Sequence, residues 1–383
     1  GEKDVLKLAL KEHDANLNVY DGAKTVVYRD DKSSNSAQVR TETFSPYSFK
    51  EQIDKSGTVV YSISGWYDGD YPHAAIKRFL TYSNPKNKLI LGPWEHGGGY
   101  NCSPENPGAS GFDKLNELMK FFDFYLKDIP TGIEQEPRVH YFTMGEEKWK
   151  TSETWPPAGT VNTEFYLADG NKLASSKPTD SGEAFYEYLV DTTASTGPDA
   201  RWNSVFGELH TPEAYSDFKQ RMEKMLVIKG DALPANMEVT GHGIVSLYLS
   251  SSDEDGAVFV YLLDEAPDGS IKYITEGNMR LLHRKIGDKS TMPHPDAENV
   301  PYHSYLKADG APMVPGKPEQ VLFDLLPVSY QIKAGHKIVI AVSCADRAHF
   351  ELLDSADDKI KIYHTANMPS SITLPVMPSK TAD

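Results

Sequence analysis

Residues 57–93 constrain the fold more than any other stretch of this chain. "GTVVYSIS" and "NKLILGP" are short apolar runs of buried-strand length. Between them, "PHAAIKRFLTYS" places Ile76, Phe79 and Leu80 at helical spacing, with Pro72 near the first turn, where its missing N–H costs nothing. Strand, helix and strand within about 30 residues make a βαβ unit, whose two strands must run parallel.

The flanking segments read differently. "EKDVLKLALKEHDANLNVYD" is a short amphipathic helix with Val5, Leu6, Leu8, Ala9 and Leu10 on its apolar side, followed by a second piece up to Tyr20. "YRDDKSSNSAQVRTETFSPYSF" is polar and loop-like. In "DKLNELMKFFDFYLKDIP", Leu115, Leu118, Met119, Phe122 and Leu126 repeat at helical intervals up to Pro130, which predicts the clearest helix of the chain. From about Pro137 the texture changes to short strands: "RVHYFTMG", "TEFYLADGNKLA", "VTGHGIVSLYLSSS", "AVFVYLLDEAPDGSIKYITEG", "EQVLFDLLPVSYQI" and "HKIVIAVSCA". Turn signals such as "ADGN", "PDGS" and "KAGH" separate them, and a helical period returns only in "PEAYSDFKQRMEKM". Many short strands without crossover helices predict an antiparallel β-sandwich of jelly-roll type. The expected fold class is therefore α/β plus all-β, with a border near "KDIPTGIEQEP".

At 383 residues the chain is long enough for two or three domains. Its net charge of −16 disfavours nucleic acid and anionic membrane surfaces as partners. No apolar run approaches the ~20 residues of a membrane-spanning helix. Two distant cysteines, Cys102 and Cys344, form neither a disulfide framework nor a zinc-ligand set. The histidines show no paired-ligand spacing, so no metal and no cofactor is expected.

The chemistry concentrates at two strand ends. In an open parallel sheet, ligands and catalytic groups sit beyond the carboxyl ends of the strands. Asp68, in "GWYDGDYPHAA", and His96, in "GPWEHGG", each lie just past such an end. Neighbouring strands are about 5 Å apart, so the two side chains fall within reach of each other. An Asp that accepts from one imidazole nitrogen fixes the tautomer and leaves the other nitrogen free to deprotonate a hydroxyl. Taken singly, an Asp in a glycine-flanked turn is ordinarily a turn residue and a loop His is ordinarily solvated.

Those two motifs resemble the second half of the cocaine esterase and X-prolyl dipeptidyl-peptidase family (CocE/NonD, peptidase S15) of serine α/β-hydrolases. α-Amino-acid ester hydrolases are a branch of that family. Its acid lies in a G-W-Y-D turn and its base in G-P-W-x-H, which fall on Asp68 and His96, 28 residues apart. The resemblance continues through "FFDFYLKDIPTGI", "PRVHYFTMGEEKW", "ITEGNMRL" and "PVSYQIKAGHKIVIAVS", nearly the whole chain. It implies three parts: 1–50 as the end of a helical cap and a linker, 51–132 as the C-terminal part of an α/β-hydrolase domain, and 133–383 as a jelly-roll domain of galactose-binding type. It also implies a Ser-His-Asp triad acting on a small acyl ester or a short X-Pro peptide.

The chain departs from the family at the nucleophile. A G-x-S-Y-x-G elbow is missing, and Ser110 in "PGASGF" follows His96 and lacks a strand before it. The expectation is a C-terminal portion of a serine hydrolase, inactive by itself, whose partner is the absent N-terminal half of the hydrolase domain. Asp70, two residues after Asp68, is the candidate ligand for a substrate ammonium group, on the analogy of the amino-acid ester hydrolase branch; as a residue at a helix start it would equally suit the helix dipole. His73 and Trp66 are further candidates for substrate contact, although a surface helix position and a packing role are their plainer readings. Trp94 reads as packing, and Cys102 lacks an identifiable base. The competing reading is a carbohydrate-binding or structural β-sandwich on an α/β scaffold, and fold analogy does not choose between them.

Overall fold

The computed structural model describes residues 2–14, 16, 18–33, 39–206, 215–353 and 358–378. Three helices lead in: α1 (Glu2–His13), α2 (Val19–Ala23) and α3 (Lys50–Ser56). Asn18 starts α2 by accepting from the Tyr20 and Asp21 N–H groups. Gly57, at a φ of 68°, ends α3 in the left-handed region that glycine adopts without strain.

The βαβ unit follows. β1 (Tyr61–Gly65) pairs in parallel with β2 (Lys88–Gly92), in register from Tyr61 with Lys88 to Gly65 with Gly92. Between them, α4 (Tyr71–Thr81) turns Pro72, His73, Ala75, Ile76 and Phe79 inward. Every residue of β2 is buried, as a central parallel strand requires. A two-residue ribbon, β3 (Tyr100–Asn101) with β4 (Gly108–Ala109), precedes α5 (Lys114–Lys127), which Asp113 caps through the Asn116 N–H. The expected helix is α5, but most of its periodic stripe lies outward: Leu115, Met119, Phe122 and Leu126 are exposed, and Phe121 is the buried residue of α5. Tyr61 of β1 fixes that orientation, packing at a tilt against Phe121 and donating its hydroxyl to Glu117 at 2.7 Å.

The first sheet is completed by β5 (Val139–Thr143), parallel to β2, and β6 (Lys148–Ser152), antiparallel to β5. Its order is β1-β2-β5-β6, with β1 at an edge. The expected border at residue 132 thus falls between α5 and strands that still belong to this sheet.

The remainder is β-rich. Its strands are β7 (Val161–Ala168), β8 (Lys172–Ala174), β9 (Phe185–Leu189), β10 (Leu226–Ala232), β11 (Met237–Gly241), β12 (Ile244–Ser251), β13 (Ala257–Glu265), β14 (Ile271–Arg280), β15 (Glu319–Asp324), β16 (Val328–Ile332), β17 (Lys337–Ser343), β18 (Lys359–Tyr363) and β19 (Ser371–Met377). The main path runs β14-β13-β17-β10-β8-β7-β19-β12-β18-β9, while β11 pairs with β16 and β19, and β15 with β12. Two stretches that read as single strands are broken. "VTGHGIVSLYLSSS" divides at His242–Gly243 into β11 and β12, and "EQVLFDLLPVSYQI" divides after Asp324 into β15 and β16. The helix expected over "PEAYSDFKQRMEKM" is one short turn, α6 (Phe218–Arg221), and residues 212–214 of that stretch lie outside the described residues.

The two sheets are joined beyond the end of β5, an interior strand of the first sheet. Met144, just past β5, bridges to Tyr330 of β16, exchanging backbone hydrogen bonds with Ser329 and Gln331. The Thr143, Ser329 and Thr240 hydroxyls continue the link as a buried chain at 2.9 and 2.8 Å.

Candidate functional site

The loops after β1 and β2 stay zipped beyond the strand ends. The Trp66 N–H donates to the Gly92 carbonyl and the Tyr67 N–H to that of Trp94, both at 2.9 Å. This close approach explains the glycines that open both motifs. A Cβ on Gly65 would lie 2.1 Å from the Trp94 carbonyl oxygen, and one on Gly92 would lie 2.3 Å from the Trp94 indole. Any side chain at either position would drive the loops apart.

The zipped loops bring Asp68 and His96 together. The His96 Nδ1 lies 3.0 Å from the Asp68 Oδ1. Asp68 is buried, whereas 48 % of the His96 side chain is exposed. The His96 Nε2 has no hydrogen-bond partner among the described residues. A covered carboxylate, an oriented ring and a free outer nitrogen are the requirements for a general base whose imidazolium form is stabilised in place.

Sequence reasoning missed the residue that braces the acid turn. Arg201 is buried in the β-rich half, and its guanidinium donates to the carbonyls of Trp66 at 2.7 Å and Gly69 at 2.9 Å. The Gly69 N–H returns a bond to the Arg201 carbonyl at 3.1 Å. No local pattern marks this residue, because its partners are backbone atoms more than 130 positions away. Behind it, Glu276 accepts from the Trp202 indole and the Tyr273 hydroxyl, both at 2.7 Å. Burial pushes the Glu276 carboxyl up to about 7, although Arg201 and these donors oppose the shift.

The other candidates are placed as follows. Trp66 is 1 % exposed and its indole N–H donates to the Phe142 carbonyl at 2.8 Å, so it forms the floor beneath the acid turn. Trp94 is likewise buried, against Phe112 and Trp149. Asp70 occupies the N-cap position of α4 without a side-chain capping bond, and its carboxylate is largely exposed. His73 is buried, and its Nε2 bonds to the Asp296 carboxylate at 3.0 Å. Asp70, His73, Asp296 and Asp324 line one side of a cavity of about 660 Å³, with Tyr305 and Trp202 among its other walls. The Ser110 hydroxyl bonds to the Gly98 carbonyl rather than to His96. Burial pushes the Cys102 thiol well up, leaving little thiolate near neutral pH.

One further cluster has the composition of a metal site. His73, His242 and Asp324 each offer a ligand atom, all within 4.8 Å of one another. The histidine spacing suggested no metal because these residues come from α4, from the break between β11 and β12, and from the end of β15. Burial lowers the His242 pKa. Burial also pushes His73 down, but the Asp324 and Asp296 carboxylates outweigh it and leave His73 above its ordinary value.

Comparison with known proteins defines the class. The profile of the X-Pro dipeptidyl-peptidase C-terminal non-catalytic domain matches residues 131–362, and that of X-Pro dipeptidyl-peptidase (S15 family) matches residues 9–98. The chain belongs to the CocE/NonD and X-Pro dipeptidyl-peptidase family. A Mycobacterium bovis protein, provisionally named a serine esterase, is 39 % identical over 387 aligned positions, which cover 96 % of this chain and 61 % of the relative. Cocaine esterase from a Rhodococcus species is 24 % identical, over 88 % of this chain and 59 % of that enzyme. Among solved structures, an aminopeptidase from a marine-sediment Thaumarchaeota archaeon superposes with a TM-score of 0.66 at 21 % identity, over 84 % of this chain and 55 % of its own. The chain thus spans about three fifths of the length of the curated relatives it matches.

Proposed function

We propose that Asp68 and His96 are the acid and base of a Ser-His-Asp triad in a hydrolase of small acyl esters or short X-Pro peptides. The nucleophile comes from outside these 383 residues. The observation that carries this reading is the 3.0 Å Asp68–His96 bond at consecutive parallel strand ends, with the outer ring nitrogen exposed and unpartnered among the described residues. Membership of a family that includes esterases and X-Pro peptidases supports it.

In this reading the β-rich half is a jelly roll that braces the acid turn through Arg201, and residues 1–50 belong to a cap. The exposed stripe of α5 and the open edge of β1 are where the rest of the hydrolase sheet packs, since a parallel edge strand beside an apolar helix face is poorly suited to water. The exposed Asp70 carboxylate supplies a contact for a substrate ammonium group.

Fluorophosphonate labelling tests the proposal. The 383-residue chain alone gives no adduct. A form extended to carry the serine elbow labels and hydrolyses acyl esters. In that form Asp68→Asn lowers kcat by about 10⁴-fold through the wrong tautomer, and Asp70→Asn raises KM for amino-acid esters alone. An adduct on the 383-residue chain would show that the nucleophile is within it. Full turnover in the extended His96→Ala variant would remove His96 from the chemistry.

A further inference from the structure

We propose that His73, His242 and Asp324 bind one divalent first-row transition-metal ion of the zinc class, at the seam between α4 and the β-rich half. This site is separate from the Asp68–His96 pair and does not depend on its role.

The donor geometry is the first support. The Asp324 Oδ2 lies 3.3 Å from the His242 Nδ1 and 3.7 Å from the His73 Nδ1. Ligands about 2.1 Å from a tetrahedral ion sit about 3.4 Å from one another, so both pairs with Asp324 are near that spacing, and the two histidine nitrogens close on it from at most 4.8 Å. The two rings are 4.7 Å apart and steeply inclined, which allows both nitrogens to converge without stacking. Two imidazoles and one carboxylate suit zinc or cobalt, whereas calcium and magnesium favour all-oxygen sites.

The surroundings of the donors are the second support. The His73 Nε2 is held by Asp296, whose side chain is almost wholly covered. A carboxylate on one ring nitrogen fixes the tautomer and leaves the other nitrogen's lone pair for a metal, the usual arrangement around histidine ligands. Here that nitrogen faces the Asp324 oxygen at 3.7 Å, a gap that a proton on the ring or a bound cation would bridge. The His242 side chain is 0 % exposed and turns its Nδ1 toward the same Asp324 oxygen.

Charge balance is the third. Asp70, Asp296 and Asp324 face the cluster, and among the described residues Lys77 is the lysine or arginine paired with them, 3.2 Å from Asp296. Three carboxylates against one ammonium leave room for a further cation. His73 and Asp324 also line the 660 Å³ cavity, which gives an ion a route in.

The test uses the chelator-treated 383-residue chain and Zn²⁺ alone, titrated against a chromophoric chelator, with bound zinc counted by mass spectrometry after gel filtration. One equivalent binds with sub-micromolar affinity and raises Tm. His242→Gln and Asp324→Asn each weaken binding by more than about 100-fold, and Asp296→Asn by about 10–100-fold. His13→Gln, on exposed α1, changes nothing. Melting of the apo variants checks that they fold. If either does not, the wild-type Co²⁺ spectrum decides: intense visible bands of a tetrahedral site support the proposal, and the pale spectrum of hydrated cobalt overturns it. Absence of stoichiometric Zn²⁺, Zn²⁺ binding that survives both ligand substitutions, or an equal Tm rise with Ca²⁺ would also overturn it.

Discussion

Glu276 carries a distinct pH signature. Its folded pKa is raised to about 7 by burial, above the ordinary glutamate value of 4.5. The folded state therefore holds the proton more tightly than the unfolded chain. The stability this confers is fully present below about pH 4.5 and is lost as pH rises through about 7, a swing on the order of 3 kcal/mol. Glu276→Gln should remove that swing. Denaturant titrations at pH 5 and pH 8 should show wild type losing more stability than the variant between the two, and equal losses would mean that Glu276 titrates normally. At this scale Asp68 and His96 were legible because each is punctuation, a polar residue set in a glycine turn after an apolar run. Arg201, Glu276, His242 and Asp324 were not, because their significance lies in partners brought from distant segments.

Among the elements, α5 shows where periodicity misleads. A stripe at helical spacing predicts an apolar face but does not say what covers it. Here the anchor is Phe121, held by Tyr61, while Leu115, Met119, Phe122 and Leu126 face outward. A combined Leu115→Ser, Met119→Ser and Leu126→Ser variant should cost this chain less than about 0.5 kcal/mol per site, as for surface substitutions, and should reduce self-association in sedimentation. A large drop in Tm would instead place the stripe in the folded core. The βαβ unit was fully legible, since two short apolar runs around one helical period admit few other arrangements. The strand breaks at His242 and Asp324 were hidden because both residues sit inside otherwise continuous β patterns, and only the pairing of Ile244 with Asp324 brings the two breaks side by side.

For the whole molecule, the two sheets behave as one body. They share a continuous apolar core, the Met144–Tyr330 bridge and the ion pairs of Glu105 with Lys272 and Lys333. Urea unfolding followed by tryptophan fluorescence and by far-UV circular dichroism should give coincident single transitions. Arg201→Met should lower the midpoint of both together, by more than about 2 kcal/mol, because it strands two buried carbonyls. Separate transitions would show that the halves unfold independently. The composition shift near residue 137 revealed two textures in the sequence, but nothing local showed that strands on either side of it, β1 and β2 with β5 and β6, join into one sheet.

The Arg201 brace also bears on how variants of a nucleophile-bearing form should be interpreted. In the proposed triad, the address of the acid is written from a distant part of the sequence, by a guanidinium gripping the peptide groups on either side of Asp68. On that proposal, damage beneath the grip, at Tyr273 or Glu276, would tilt the carboxylate and slow turnover without either residue meeting a substrate. Such variants would masquerade as binding-pocket mutants in a kinetic screen. An unchanged affinity for a non-reacting substrate analogue would unmask them.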